Sequence, residues 1–258
     1  MAGLVGGVPS LVALPLGVWQ AAHAGYGVVF TAGAVAALAA IPTVPGLPDR
    51  IRASGRPVGI TEALRTAELL RPATVFAVSA VAAGIVVTFL PLAVPASATG
   101  LVAAALFVQP AAATAARWFA GRHGDRHGSA GLVLPGLLLS AAGTALMALT
   151  GSPVAVVAAV ALFGTGFGVV QNSMLSLMYA RVPAAGYGTV SALWNFAHDA
   201  GMSVGAVGFG TLAAATGYPW AFALTAAMLG ALAPALTDRG AAPRTAEDGS
   251  TGRPGPVT

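Results

Sequence analysis

The sequence contains no cysteine and no lysine, and it has few charged residues of any kind. Without cysteine there can be no disulfide, no thiolate metal ligand and no cysteine nucleophile. Charged residues make up 8% of the chain, whereas an ordinary soluble domain has roughly 25%. So few charges cannot cover the surface of a water-soluble fold of 258 residues.

The basic residues do not indicate a nucleic-acid-binding protein. All 12 are arginine, and the formal net charge is only +4. We expect no arginine cluster to be interleaved with exposed aromatic residues, as it is in many nucleic-acid-binding surfaces. Abundant alanine, glycine and arginine with no lysine is typical of a GC-rich bacterial genome.

Hydrophobic residues make up 57% of the chain and occur in long uncharged runs. Each run is close to the ~20 residues that a helix needs to cross the hydrocarbon core of a bilayer. The pattern predicts an all-α, polytopic helical membrane bundle of about eight transmembrane helices. The predicted spans are 2–19, 26–44, 74–94, 98–117, 130–150, 153–179, 188–214 and 218–236.

The arginines indicate the orientation of these spans. Every arginine lies in an even-numbered connection or after the last span, which the positive-inside rule places in the cytoplasm. We therefore expect a multi-pass protein of the bacterial inner (plasma) membrane with both termini cytoplasmic. The arginines are Arg50, Arg52, Arg56, Arg65 and Arg71 after span two, Arg117, Arg122 and Arg126 after span four, Arg181 after span six, and Arg239, Arg244 and Arg253 after span eight.

The same reading divides the chain into four segments. Residues 1–44 hold two spans, and 45–73 form a cytoplasmic linker with a short interfacial helix, in which Glu62 can pair with Arg65 and Glu68 with Arg71. Residues 74–236 form a six-helix unit. Residues 237–258, rich in proline, glycine and charge, are expected to be a disordered cytoplasmic tail.

A glycine-rich motif, Gly121-Arg-His-Gly-Asp-Arg-His-Gly128, follows span four. Gly121 and Gly128 allow a tight turn, and Asp125 can cap the next helix or pair with an arginine. Such an ion pair can stabilise one conformation of a moving bundle. The pattern of Gly121, Asp125, Arg126 and Gly128 resembles the cytoplasmic loop signature of the major facilitator superfamily, which recurs there between spans two and three and between spans eight and nine.

The resemblance covers nearly the whole chain and implies a fold and a function. If this loop is the one between spans eight and nine, the chain holds family spans five to twelve, and the first four transmembrane helices are missing. Residues 74–236 then match the C-terminal half of such transporters. The resemblance implies a secondary active transporter without a cofactor, which moves a small molecule by alternating access, in drug or metabolite efflux and with possible proton coupling.

The span at 188–214 carries a stripe of polar residues, with Asp199 near the middle of the span. At 100° per residue, Ser191, Asn195, His198, Asp199 and Met202 share one stripe, and Gly201, Gly205 and Gly208 share another. We expect the glycines to pack on a neighbouring helix and the polar stripe to line an aqueous cavity. The segment also resembles the eleventh span of bacterial drug-efflux-like members of the family.

Asp199 is the strongest candidate for a proton- or substrate-linked group. A carboxylate at mid-membrane costs about 2.5–3.5 kcal/mol on insertion scales, and intramembrane ionisable groups usually mark transport pathways. The alternative is a structural role, with the carboxyl group protonated or paired. Asn195, one turn away, is a better placed partner than His198. Gln171 and Asn172 either line the same cavity or bond to neighbouring backbone.

Two other functions remain open. The chain could be a truncated or non-transporting membrane partner subunit, because a complete pathway needs the missing N-terminal helices or another copy. Less favoured is an intramembrane enzyme using His198 and Asp199, since no nucleophile motif or cofactor loop accompanies them. The spacing of His123, Asp125 and His127 is attributed to coincidence, so no metal is expected. The expected partners are a small-molecule substrate, the lipid bilayer and possibly protons, but no nucleic acid.

Overall fold

The computed structural model describes residues 23–42, 65–95 and 99–237, together with the single positions 16, 20 and 59. This part of the chain contains seven α-helices and no β-strand. The predicted all-α helical bundle is therefore confirmed. In chain order the helices are α1 (Tyr26–Ala40), α2 (Ala67–Ala93), α3 (Thr99–His127), α4 (Val133–Leu146), α5 (Pro153–Tyr179), α6 (Tyr187–Thr216) and α7 (Tyr218–Thr237).

Each predicted span from 26–44 onwards is occupied by a helix, and the span at 2–19 lies outside the described ranges apart from Leu16. The agreement is closest for α5, which has the bounds predicted for it. The hydroxyl of Ser152 accepts a hydrogen bond from the backbone N–H of Ala155 at 3.3 Å, and Pro153 occupies the first helical position. Both residues favour a helix start at this point.

Three of the described helices are long and apolar enough to cross a membrane: Ala67–Ala93, Gly100–His127 and Pro153–Tyr179. The helical stretches at Tyr26–Ala40 and Ala130–Leu146 are apolar but shorter. Helix α6 has 30 residues, enough to span a bilayer, but its polar side chains lower its hydropathy. The described part of the chain thus has the composition of a membrane-embedded helical bundle.

Helix α2 begins within the segment predicted to be a linker. Its first residue is Ala67, so Glu68 lies in its first turn, where a carboxylate interacts favourably with the helix dipole. Residues 60–64, which include Glu62 of the predicted interfacial helix, lie outside the described ranges, as does the predicted tail after residue 237.

Helices α2 and α6 pack with their backbones in direct contact. A Cβ atom added to Gly201 would overlap the carbonyl oxygen of Ala77, and one added to Gly205 would overlap that of Val81. Because the residue numbers rise together along both helices, α2 and α6 run parallel. The predicted packing of the small stripe thus applies to Gly201 and Gly205, whereas Gly208 is exposed with no atom near its Cβ position.

Helix α5 is packed in the same way on two sides. Gly164 and Gly168 contact the backbone carbonyls of Gln109 and Ala113 in α3, which therefore runs parallel to α5. On its other side Gly166 contacts Gly136 and Ser140 of α4, an antiparallel neighbour. Small residues at all three helix pairs allow the close approach typical of membrane helices.

The core lies where α2, α5 and α6 meet. Phe76 of α2, Phe163 of α5 and Val190 of α6 are completely buried and belong to one hydrophobic cluster. Helix α7 covers the end of this core with Phe222, which packs against Phe209 of α6 at a ring-centroid distance of 4.9 Å. By contrast, α1 has no buried residue.

We predict that Gly205→Ala destabilises the protein by about 1–3 kcal/mol, because the added methyl group must push α6 away from the Val81 backbone. Gly208→Ala is the matched control on the same helix. It should be neutral or stabilise by up to about 1 kcal/mol, since alanine is the better helix former. Thermal unfolding of the two variants in detergent measures the difference, and equal midpoints would show that the backbone contact is not needed.

Candidate functional site

Asp199 projects from α6 near the middle of that 30-residue helix. Its side chain is 80% exposed at the surface of the described helices, because Gly201 and Gly205 occupy the side of α6 that faces α2. Asn195 and Ser203, one turn before and one turn after it, are exposed as well. Asn195 and Asp199 of the predicted polar stripe therefore lie on a different side of α6 from the packed glycines. The other three members contact neighbouring helices: the hydroxyl of Ser191 bonds to that of Tyr179 in α5, the ring of His198 packs on Phe76 of α2, and the backbone of Met202 lies against Gly84 of α2.

The partner of Asp199 is His198. Nδ1 of His198 lies 3.1 Å from Oδ1 of Asp199, which is hydrogen-bonding distance for an imidazole N–H and a carboxylate. The expectation that Asn195 would be the better placed partner is wrong. Its amide nitrogen instead donates to the carbonyl oxygen of Ser191, one turn back on its own helix, at 2.8 Å. That local bond directs the amide nitrogen toward the preceding turn, and the carboxylate contacts His198 instead.

The ring of His198 belongs to an aromatic cluster that joins three helices. It lies 5.8 Å from the ring of Phe76 in α2 and 6.3 Å from that of Phe167 in α5. Trp194, one turn before His198, stacks on Phe76 at 4.8 Å. His198 is only 26% exposed. One face of the His198 ring thus packs against the core, while its Nδ1 atom contacts the exposed carboxylate of Asp199.

Gln171 and Asn172 face α3 rather than the His198–Asp199 pair. Oε1 of Gln171 accepts a hydrogen bond of 2.9 Å from Nη1 of Arg117, and Nη2 of Arg117 donates to the hydroxyl of Thr114 at 2.9 Å. The amide of Asn172 lies beside Gly121. In the described residues no hydrogen bond joins this group to the pair on α6.

Arg117 is the polar residue that the sequence analysis missed. We counted it among the connecting arginines, because the uncharged run of span four ends there. The helix does not end there, and Arg117 lies ten residues before the last residue of α3, His127. Helical spacing could have revealed it, since Thr114, Arg117 and Gly121 recur at three and four residues on one side of α3.

The loop motif is mostly helical, which corrects the prediction of a tight turn beginning at Gly121. Helix α3 continues through Gly121, Asp125 and Arg126 to His127, and the turn is made by Gly128 with φ of 83°. The N–H of Gly128 donates to the carbonyl of Gly124, which closes the helix end. A loss of hydrophobicity marks the boundary of the apolar region, not the end of the helix.

Asp125 is exposed in the last turn of α3, so it does not cap the next helix. Among the described residues, Asp125 makes no ion pair with an arginine. Arg126 and His127 follow it at the helix end, where positive charge interacts favourably with the dipole. The carboxylate is therefore available to a group from another part of the protein.

Comparison with known proteins agrees with this architecture. No curated protein matches the sequence. The sequence profile of the Major Facilitator Superfamily matches residues 1–206, which include the glycine-rich motif, both polar groups and six of the seven described helices in whole or in part. Proteins of this superfamily are membrane transporters rather than enzymes. The chain belongs to the Major Facilitator Superfamily.

Proposed function

We propose that this transporter exports a small molecule, a drug or a metabolite, in exchange for protons, and that Asp199 is the group that carries the coupling. The single observation that supports the proposal is the position of Asp199 on α6. Its carboxylate is 80% exposed near the middle of the helix, away from the α2 contact. Facing lipid, it would cost about 2.5–3.5 kcal/mol. A water-filled pathway avoids that cost.

His198 gives the carboxylate a defined proton partner. The Nδ1 and Oδ1 atoms lie 3.1 Å apart, and we propose that a proton moves between them. Histidine changes its charge near neutral pH more readily than any other side chain. We propose that protonation of the pair alternates with substrate binding, with Asn195 on the same face of α6 offering a further polar contact.

The proposed transport cycle uses alternating access between two helical units. The glycine contacts hold α2 to α6 and α5 to both α3 and α4, so these helices would move as one body. We propose that the other wall of the pathway is formed by further helices or by another copy of the chain. Asp125 and Arg126 would then interact with that second unit and favour one of the two conformations.

We further propose that the protein lies in the plasma membrane of a bacterium, with both termini in the cytoplasm. On that basis, green fluorescent protein fused at Gly128 or Arg181 should fluoresce, and alkaline phosphatase fused at the same positions should be inactive. Fusions at Gly151 and Gly217 should show the reverse, since those turns lie at the opposite ends of the helices. Two neighbouring sites with the same signal would overturn the orientation.

For the helix-end motif, Asp125→Asn should slow transport about tenfold while membrane insertion and protein level stay unchanged. The residue is exposed at the end of α3, so its charge can act on the conformational equilibrium without supporting the fold. Efflux of ethidium from cells, normalised to the amount of protein in the membrane, measures the effect. Asp125→Glu keeps the charge and should retain most of the rate; equal loss in both variants would show that shape, not charge, matters.

For the coupling site, Asp199→Asn should abolish accumulation driven by a proton gradient but leave exchange of ethidium across vesicles intact. The amide matches the protonated carboxyl group in size and cannot release a proton. Ser203→Ala is the matched control. Ser203 is one turn further along the same exposed side, and within the described residues its hydroxyl donates to the backbone carbonyl of Asp199. If the Asp199→Asn variant shows normal gradient-driven uptake with unchanged pH dependence, Asp199 has a structural role and does not carry the coupling.

A further inference from the structure

Arg117 lies where α3 changes from an apolar to a charged helix. No charged residue occurs between Thr99 and Ala116, whereas Arg122, Asp125 and Arg126 follow and are exposed. At 1.5 Å per residue, Arg117 is about 27 Å along the helix from Thr99. The hydrocarbon core is about 30 Å thick. The guanidinium is therefore close to the depth at which lipid headgroups begin.

The guanidinium has no acidic partner in the part of the chain that the structure describes. Its two hydrogen bonds, each 2.9 Å long, go to the neutral side chains of Gln171 and Thr114. Its Nε atom is buried and has no hydrogen-bond partner among these residues. Arginine is always charged in proteins. An unpaired buried donor on a charged group costs free energy, and an anion or a water molecule at this position would offset that cost.

A second unsatisfied donor lies on α5, one residue after Gln171, which accepts from Arg117. The amide nitrogen of Asn172 is buried without a partner among the described residues. It faces Gly121, one helical turn after Arg117. A Cβ atom added there would lie 3.8 Å from the amide nitrogen and 3.9 Å from the amide oxygen. The missing side chain at Gly121 thus leaves the Asn172 amide as the nearest group to that position on α3, one turn from Arg117.

We propose that Arg117 and Asn172 bind one phosphate-type oxyanion beside Gly121. A guanidinium donates to phosphate oxygens in a fixed planar geometry, and a neutral amide supplies a further N–H. The exposed side chains of Trp118 and Phe119 at the same depth suit a membrane interface, so the phosphate of an acidic phospholipid is one source. A soluble phosphate has the same chemistry. This site is distinct from the His198–Asp199 pair and does not depend on which substrate is transported.

The test measures the thermal midpoint, Tm, of the full chain in a neutral detergent. One arm adds phosphatidylglycerol, with phosphatidylcholine as the lipid control, and the other adds inorganic phosphate, with chloride at equal ionic strength. We expect phosphatidylglycerol to raise the Tm and Arg117→Gln to remove the shift. Arg122→Gln is the matched control, since it removes the same charge from an exposed arginine that lies over the ring of Trp118. It should keep the shift.

Asn172→Ala provides an independent variant that leaves every charge in place. It should need about tenfold more phosphatidylglycerol for the same shift, as expected for one lost hydrogen bond to a charged group. If Arg117→Gln does not fold, the response of Asn172→Ala to phosphatidylglycerol decides the test. A shift caused by inorganic phosphate, and lost in both variants, identifies a soluble anion as the ligand. No shift in the wild type, or equal loss in Arg122→Gln, overturns the proposal.

Discussion

Direct backbone contact between helices is the constraint on which the rest of the structure depends. In a bilayer, lipid tails are as apolar as the helices, so burial of apolar surface gives little drive for association. Close packing takes over that role, and it requires residues without side chains. Gly201 and Gly205 bring α6 against α2, while Gly164 and Gly168 bring α5 against α3. A single methyl group at any of these positions would overlap a backbone atom.

This packing decides where the polar side chains can go. On α6 the glycines take the side that faces α2, so Asp199 must project from another side and remain exposed at the surface of these helices. On α5 the same glycine face continues to Asn172, which lies against Gly121 of α3. The two polar groups therefore have different surroundings. One lies near the middle of a helix, beside an aromatic cluster, and the other lies close to the apolar-to-charged boundary of α3.

The difference in depth also separates the two proposed roles. A carboxylate and an imidazole near mid-membrane suit a proton that crosses the bilayer, because both groups can be neutral or charged. An arginine cannot release its proton, so Arg117 can only attract an anion. Its position at the end of the apolar part of α3 suits a ligand that stays at the membrane surface. A transporter with both sites would couple transport to proton movement at the His198–Asp199 pair and bind a lipid phosphate or a soluble anion at Arg117.

Much of the fold could be predicted from the sequence because its signals are local. Uncharged runs place the helices, Ser152 and Pro153 mark the start of α5, and the 100° rotation per residue separates Asp199 from Gly201 on α6. Hydropathy also misleads locally. It reports the end of an apolar segment, so it placed Gly121 in a turn although α3 continues to His127.

Only the tertiary structure decided which residues meet. Arg117 and Gln171 are 54 residues apart, and their hydrogen bond depends on how α3 and α5 are rotated and shifted against each other. The same holds for Gly205 and Gly208, which periodicity treats alike although only Gly205 touches α2. The sequence by itself determined the helices and the side of α6 on which Asn195 and Asp199 lie, because each depends on neighbours a few residues away. The contacts between those sides depend on the packing of whole helices, which no local segment encodes.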